Sequence, residues 1–288
     1  MDSNDKPNYF DAYYYASGCG KPYERSQDWL DLFNGIAGRI VQDIEPTSVM
    51  DAGCAMGLLV EALRGRGVEA YGMDISEYSI GMVHSDVKPY CQVGSITEPF
   101  EQRYDLIVSI EVLEHMSAAD SEKAVENFCQ QTDDVLFSST PFDYKEATHF
   151  NVQPPEYWAE LFARHQFYRD VDFDASFITS WAVRYRRRNE TPLRLIREYE
   201  RKFWPLWKEN TDLRTLILEM RNELSIARDQ TEAYTSLANH LQAQLDEIYQ
   251  SRSWKMLQKL HQLRHRIVPV GSQREAILKK LGILSRDS

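Results

Sequence analysis

Residues 49–57 read Val-Met-Asp-Ala-Gly-Cys-Ala-Met-Gly. This stretch and the residues that flank it indicate the class of fold. A short apolar run precedes Asp51, two glycines follow at Gly53 and Gly57, and an apolar helix-like run occupies 58–63. This order predicts a strand, a tight turn and a helix. Glycine lets a ligand approach the backbone closely, and a helix start offers unpaired N–H groups. The stretch therefore predicts a site for a nucleotide-like ligand.

Asp51, the acid before the two glycines, indicates which class of ligand binds here. Dinucleotide-binding loops carry three glycines in the pattern G-x-G-x-x-G and hold a pyrophosphate. A carboxylate at Asp51 would repel a pyrophosphate, but it suits a cation that bears an ammonium and a sulfonium group. A second predicted strand, 70–74, ends in Asp74, whose carboxylate can accept both ribose hydroxyls. The sequence therefore favours S-adenosylmethionine (SAM) over the alternative of a plain glycine turn.

Composition and charge narrow the class of protein. The 288 residues are 43% hydrophobic and carry a net charge of −11. No segment approaches the roughly 20 apolar residues that span a bilayer. The polar N-terminus and the four scattered cysteines predict a cytoplasmic protein with neither a signal peptide nor a disulfide framework nor a zinc site.

The charge is unevenly distributed. Residues 252–288 hold nine Lys or Arg and two acids, a net charge of +7, which leaves −18 for residues 1–251. The acidic body argues against a nucleic-acid partner. The basic tail predicts contact with an acidic partner or with an anionic membrane surface, peripheral to the inner face of the membrane.

Strand-like and helix-like segments alternate through the first 185 residues. This alternation predicts an α/β, Rossmann-like fold, a mostly parallel sheet with helices on both faces. The predicted strands are 48–51, 70–74, 90–93, 105–110 and 135–138, followed by a closing hairpin of 167–172 and 178–184. The predicted helices are 29–44, 58–64, 76–84, 121–129 and 155–165.

The remaining chain changes character. An apolar series alternates steps of four and three and predicts a coiled coil of about five heptads; its members are Leu213, Ile217, Met220, Leu224, Ala227, Thr231, Tyr234, Ala238, Leu241, Leu245 and Ile248. The alternative is one long helix lying back on the first domain. A short basic amphipathic helix is predicted at 273–284, with Ile277, Leu278, Leu281 and Leu284 on its apolar side. The expected divisions are 1–45 (lid and first helix), 46–188 (SAM-binding core), 189–268 (long helix or coiled coil) and 269–288 (tail).

By its motifs the first part of the chain resembles the class I SAM-dependent methyltransferases. The resemblance rests on residues 51–57, on Asp74 and on residues 104–115. It implies a seven-stranded sheet with SAM across the carboxyl ends of the first strands. The implied cofactor contacts are Asp51, Gly53, Cys54, Ala55, Gly57, Asp74, Ile75, Ser95, Ile96 and Glu111. Ser95 stands where many members have Asp, and Ala55 stands where glycine is frequent.

An aromatic segment, 13–25, precedes the first strand. In related methyltransferases such a segment lies over the cofactor as a lid, which implies that Tyr23 and Arg25 meet the SAM carboxylate. The alternative is an aromatic patch that packs on the first helix.

A second group of residues follows the fourth strand. Glu111, Glu114 and His115 stand at i, i+3 and i+4, so a helical turn would place them on one face. With His149, from the loop after the fifth strand, they would form a divalent metal site, for Mg or Mn. This set resembles the metal-dependent RNA 3′-terminal 2′-O-methyltransferases and the ubiquinone-biosynthesis O-methyltransferases. The alternative has no metal, with His115 as a structural residue and His149 as the general base.

The leading hypothesis for function is a SAM-dependent O-methyltransferase that acts on a sugar hydroxyl in glycan or polysaccharide biosynthesis. The sugar assignment rests on a resemblance to bacterial glycan-pathway methyltransferases, which carry similar coiled-coil tails and segments like Ser251-Arg252-Ser253-Trp254. The tail would form a homo-oligomer and bring the enzyme near a membrane-bound glycan assembly complex. The alternatives are an O-methyltransferase with a quinone-like, other small-molecule or RNA acceptor, and a non-catalytic scaffold with a SAM-like fold.

Overall fold

The computed structural model describes residues 9–18 and 21–283, and in this part of the chain seven strands form one sheet. The strands are β1 (Ser48–Ala52), β2 (Glu69–Asp74), β3 (Cys91–Val93), β4 (Leu106–Ile110), β5 (Asp134–Ser138), β6 (Phe167–Arg169) and β7 (Val183–Arg187). Their order across the sheet is β3-β2-β1-β4-β5-β7-β6. The first five strands pair in parallel, and β7 is antiparallel to both β5 and β6. The predicted fold class, with its closing hairpin, is confirmed.

The helices that accompany the sheet are α1 (Ala12–Ser17), α2 (Gln27–Asp43), α3 (Leu58–Arg64), α4 (Glu77–Gly81), α5 (Ala118–Gln131) and α6 (Pro155–Ala163). Helix α3 has the predicted bounds, because Gly57 turns the chain into it and Gly65 follows its last residue. Helix α4 is shorter than the predicted 76–84. Ser76 caps its start by accepting a hydrogen bond from the N–H of Ser79.

Two apolar cores lie on the two faces of the sheet. Alternate residues of a strand enter different cores, since successive side chains point to opposite faces: Val49 joins one core and Met50 the other. The first core contains Ile40 of α2 and Leu63 of α3, and the second contains Phe128 of α5. The sheet is thus covered on both sides, as its continuous apolar strands predict. The polar residues of the candidate site therefore lie in the loops at the carboxyl ends of the strands.

The chain divides into two compact units, and the first of them ends at Lys202. Helix α7 runs Pro192–Gln250, and every residue of it beyond Lys202 is exposed. Two further helices follow, α8 (Arg252–Ile267) and α9 (Gln273–Lys280). The long helix expected within 189–268 is confirmed as α7. It ends at Gln250, and the Ser251 hydroxyl accepts from the Trp254 N–H at the start of a new helix.

The coiled coil stays a prediction, because the structure contains one chain and therefore one copy of α7. The expected amphipathic tail helix ends earlier than 284, and Leu284 lies outside the described residues. Over the described ranges, no helix combines the length and the apolar character that crossing a bilayer requires.

Candidate functional site

The turn after β1 has a backbone that few residue types adopt. Gly53, Ala55 and Gly57 all have positive φ, of 90°, 46° and 69°. A Cβ on Gly53 would lie 2.4 Å from Cγ2 of Val112, so this position requires glycine for space as well as for conformation. Ala55 adopts the left-handed backbone conformation. Glycine, which is frequent at this position in the family that the chain resembles, would adopt it more easily. The strained turn brings the backbone of residues 53–57 to the carboxyl edge of the sheet.

Two aspartates meet at this edge. Asp74, at the end of β2, accepts hydrogen bonds of 2.8 Å from the N–H groups of Ala55 and Ser76, which ties the first turn to the second. Burial raises the pKa of the Asp74 carboxyl. Asp51 is 5% exposed, and burial, with the nearby Asp74, raises its pKa to about 8. No hydrogen bond from a described residue counters this increase in the pKa of Asp51. A cation bound beside the two carboxyls would therefore favour their ionised forms.

One cavity of about 1960 Å³ begins at these aspartates. Gly53, Cys54 and Ala55 line it at one end, together with Ile75, Ser95 and Ile96. Ile75 is 64% exposed although it is a large apolar residue, so its side chain is available to a flat ring. The Ser95 hydroxyl lies 2.7 Å from that of Thr97. Most of the sequence-predicted cofactor residues thus line one cavity, whereas Gly57 shapes the turn without lining it.

The expected helical face of Glu111, Glu114 and His115 is wrong. A short 3-10 turn covers only Leu113–His115, and Glu111 precedes it with a φ of 52°. The Glu111 N–H continues the sheet by donating to the Ser138 carbonyl, and this left-handed residue turns the chain sharply at the strand end. The Glu111 carboxylate accepts a hydrogen bond of 2.9 Å from the Trp181 indole. Glu111 still lines the cavity, but it stands outside the groups of residues with metal-ligand spacing.

Glu114, His115 and His149 do come together, with one ligand atom from each within 4.8 Å of the others. The Glu114 side chain is fully buried, and burial, followed by the neighbouring Glu111, raises its pKa well above the ordinary value. One of its oxygens accepts from the Thr140 N–H, and the other has no hydrogen-bond partner in the described part of the chain. An unpartnered buried oxygen beside two imidazoles is a ready metal ligand.

The His115 ring is buried beside His149, and this position decides the protonation of His115. Burial and the adjacent His149 lower the pKa of His115 to about 4, so this ring is neutral near neutral pH. Its Nδ1 lies 3.2 Å from the Thr148 carbonyl, which assigns the proton to Nδ1, while Nε2 faces the Tyr14 hydroxyl at 3.4 Å. The His115 and His149 ring centres are 4.6 Å apart.

Both ring nitrogens of His149 face acceptors. Nδ1 lies 2.8 Å from the Asp143 carbonyl oxygen, and Nε2 lies 3.1 Å from a carboxylate oxygen of Glu146. The other Glu146 oxygen accepts from the Thr148 hydroxyl. Because a carbonyl oxygen only accepts, the proton of a neutral His149 ring lies on Nδ1, and Nε2 faces Glu146. Sequence reasoning missed Asp143 and Glu146, although their regular spacing before His149 was a visible signal.

The aromatic N-terminal segment reaches this site. The Phe10 and Tyr14 rings contact the His115 ring edge-on, and Tyr9 contacts Phe150. Tyr23 lines the cavity, and its ring packs between those of Tyr15 and Trp29.

Arg25 does not line the cavity. Its guanidinium makes two hydrogen bonds to the Glu61 carboxylate, of 2.6 and 3.0 Å. The segment borders the cavity, and Tyr23 also packs on α2, as the alternative expects. Its role as a lid over the cofactor stays a prediction. The structure does not bring Arg25 to the cofactor end. Cys19 and Gly20, within the same segment, lie outside the described residues.

The far wall of the cavity is rich in aromatic rings. Phe142 and Tyr144 are more than 70% exposed, and Phe150 and Trp181 stand beside them. The Phe142 and Trp181 rings meet edge-on at 6.2 Å. These four rings line the same cavity as His115 and His149.

Comparisons with known proteins identify relatives of this chain. A family described as a methyltransferase domain matches residues 23–172. A ubiquinone biosynthesis O-methyltransferase of Azoarcus sp. (strain BH72) is 30% identical over 148 residues, covering 48% of this chain and 59% of the relative. One from Coxiella burnetii is 29% identical over 121 residues, covering 35% and 51%. The chain thus spans only about half of the length of these curated relatives.

Among solved structures, the magnesium protoporphyrin IX methyltransferase of Synechocystis PCC 6803 with bound SAM is similar at a TM-score of 0.46 and 16% identity. The match covers 65% of this chain and 100% of that one.

Proposed function

The chain belongs to the methyltransferase-domain family that its residues 23–172 match, and from this premise we propose that it transfers a methyl group from SAM to the hydroxyl of a small aromatic, quinone-like acceptor. The observation that carries the proposal is the cavity that joins a pair of buried aspartates to a histidine pair within an aromatic wall.

The aspartate end fits SAM. Asp51 is a buried carboxyl without a hydrogen bond from a described residue, and a cationic ligand would stabilise its ionised form. Asp74 is fixed by two backbone N–H groups and keeps lone pairs for ribose hydroxyls. Ile75 offers an exposed apolar side chain for adenine. When bound, SAM supplies an electrophilic methyl group on its sulfonium.

The aromatic wall supports an aromatic acceptor. Offset and edge-on contacts favour a flat ring between Phe142, Phe150 and Trp181. The curated relatives are named for ubiquinone biosynthesis, which favours the quinone-like alternative over the sugar hydroxyl that the sequence led us to expect. The hydroxyl to be methylated would lie against the His115–His149 pair.

The donor set beside this pair fits a divalent cation. Glu114, His115 and His149 form one group with metal-ligand spacing, and Asp143, Glu146 and His149 form another. In the first group Glu114 would offer its unpartnered oxygen and His115 its neutral ring. A cation held there, Mg or Mn, would lower the pKa of a bound hydroxyl and orient it.

The residues themselves supply the remaining chemistry. The Asp143 carbonyl holds the proton of His149 on Nδ1, so Nε2 is the nitrogen that exchanges its proton. Glu146 lies within hydrogen-bond distance of Nε2 and can take that proton. His149 is therefore a proton carrier backed by Glu146, rather than the isolated general base expected from the sequence. The apolar ring of Phe10, which contacts the His115 ring edge-on, limits access of water to the pair.

We also propose that α7 pairs with a second copy of the chain. Its apolar stripe is exposed along its length and repeats with the period of a coiled coil. In a parallel, in-register pair, Glu223 of one helix would lie near Arg228 of the other.

The acceptor class is tested with methyl-labelled SAM. The purified chain is incubated with a catechol-type acceptor or with a vicinal-diol sugar, and the labelled product is separated. We expect label on the catechol only. Label on the sugar alone would restore the glycan hypothesis, and absence of SAM binding would contradict the proposal.

The cation is tested separately. A chelator is expected to abolish transfer, and Mg or Mn is expected to restore it. Glu114→Gln should weaken this restoration while SAM binding persists. Glu160→Gln, on the exposed surface of α6, is the matched control. Full transfer in the presence of chelator would exclude the metal and leave the Glu146–His149 pair as the base.

A further inference from the structure

Helix α8, Arg252–Ile267, divides its side chains by chemistry. It has no Asp or Glu and carries five cations, which are Arg252, Lys255, Lys259, Arg264 and Arg266. Its large aliphatic side chains are each more than half exposed; they are Met256, Leu257, Leu260, Leu263 and Ile267.

The geometry of a helix sorts these residues into sectors. At about 100° per residue, the five aliphatic residues fall within a stripe about 120° wide. Four of the five cations lie together along one flank of that stripe, and Arg264 lies at the other edge. Trp254 stands outside the stripe, and its ring packs against Tyr249 at 5.4 Å. Helix α8 therefore presents an apolar face bordered by positive charge.

The charge distribution identifies the occupant of this face. Two copies of α8 packed through their apolar stripes would bring their rows of Lys and Arg together, at a cost from like-charge repulsion. Helix α7 differs in this respect, since it carries acidic as well as basic residues along its length. A nucleic acid would use the cations but leave the leucines in water. An anionic bilayer surface satisfies both groups, because Lys and Arg stems lie along apolar surface while their charges meet headgroups.

We propose that α8 is an interfacial helix that binds the surface of a bilayer containing anionic phospholipids. Its axis would lie in the plane of the headgroups, with Leu260 and Leu263 inserted and Lys255 and Lys259 at the phosphates. The proposal does not depend on the acceptor of the methyl group, and its test does not measure methyl transfer.

The full chain is mixed with vesicles of equal parts phosphatidylcholine and phosphatidylglycerol, or of phosphatidylcholine alone, and bound protein is measured by flotation. We expect binding to the anionic vesicles that weakens with added salt. Each Lys near an anionic surface contributes roughly a fivefold factor in affinity. Lys255→Gln with Lys259→Gln should therefore lower the partition coefficient about 25-fold, the product of two such factors.

A second variant tests the apolar face. Leu260→Ser with Leu263→Ser should lower partitioning by at least about tenfold. The matched control is Leu218→Ser with Ile226→Ser, two exposed residues of α7 outside its apolar series. Circular dichroism without vesicles and calorimetric SAM binding verify that each variant is folded.

Several results would overturn the proposal. These are no binding of the folded wild-type chain to anionic vesicles, equal binding to neutral vesicles, or wild-type binding by both α8 variants. A change in molecular mass in the leucine variant with no change in vesicle binding would assign the face to a second copy instead.

Discussion

Replacing Asp51 with Asn should stabilise the chain without ligand and weaken its binding of SAM. Burial raises the pKa of Asp51 from 3.8 to about 8. Between these values the native chain keeps a proton that the unfolded chain has released. The free energy of unfolding therefore falls by about 1.4 kcal/mol for each unit that the pH rises.

The size of the effect follows from that slope. At pH 7, about three units above the ordinary pKa, the cost of burying Asp51 amounts to about 4 kcal/mol. An amide has no proton to release over this range, so the Asp51→Asn variant escapes this cost. Urea denaturation from about pH 5 to pH 8 should show a flatter profile for the variant and higher stability near neutral pH. Asp28→Asn, at an exposed position of α2, is the control and should follow the wild type.

Ligand binding should change in the opposite direction. A cationic ligand favours the ionised Asp51, so the SAM affinity of the wild-type chain should rise with pH until about pH 8. The Asp51→Asn variant should bind more weakly and lose this rise. If calorimetry shows unchanged SAM affinity and denaturation shows no gain in stability, the assignment of Asp51 as a buried, cation-seeking carboxyl is wrong.

Three other substitutions test separate parts of the structure. Gly53→Ala should cost at least about 2 kcal/mol of stability, because of its positive φ and the contact with Val112; an unchanged thermal midpoint would contradict this. Arg25→Ala removes a partly exposed ion pair with Glu61, so it should cost less than about 1 kcal/mol and leave SAM affinity unchanged in calorimetry; a large loss of affinity would restore its assignment to the cofactor. Leu224→Lys, within the α7 stripe, should convert an oligomer to a monomer in light scattering, and an unchanged mass would rule out pairing through that stripe.

The sequence was sufficient for the fold and for the residues at the aspartate end of the cavity. Buried parallel strands appear as continuous apolar runs, and the glycines with Asp51 and Asp74 follow directly from the strand ends. These features are local in the chain, so their spacing carries the information.

The histidine end of the cavity was harder to predict, because the positions of its side chains depend on backbone conformation and on contacts between residues distant in the sequence. A helical turn through Glu111 was a reasonable interpretation of its spacing, but its left-handed φ keeps it out of the short turn that holds Glu114 and His115. The pairing of Arg25 with Glu61 joins residues 36 positions apart, which no local pattern reveals. The break at Ser251 was accessible, since a serine before a helical segment is a common N-cap.

The central claim is that one cavity joins SAM to an aromatic hydroxyl activated at His149. It is tested most directly by transfer from methyl-labelled SAM to a catechol, with mass spectrometry of the product, in the wild type and in His149→Ala. We expect the wild type to produce an O-methylated catechol. We expect His149→Ala to bind SAM but to transfer no methyl group. Full transfer by His149→Ala, or methylation at a position other than oxygen, would contradict it.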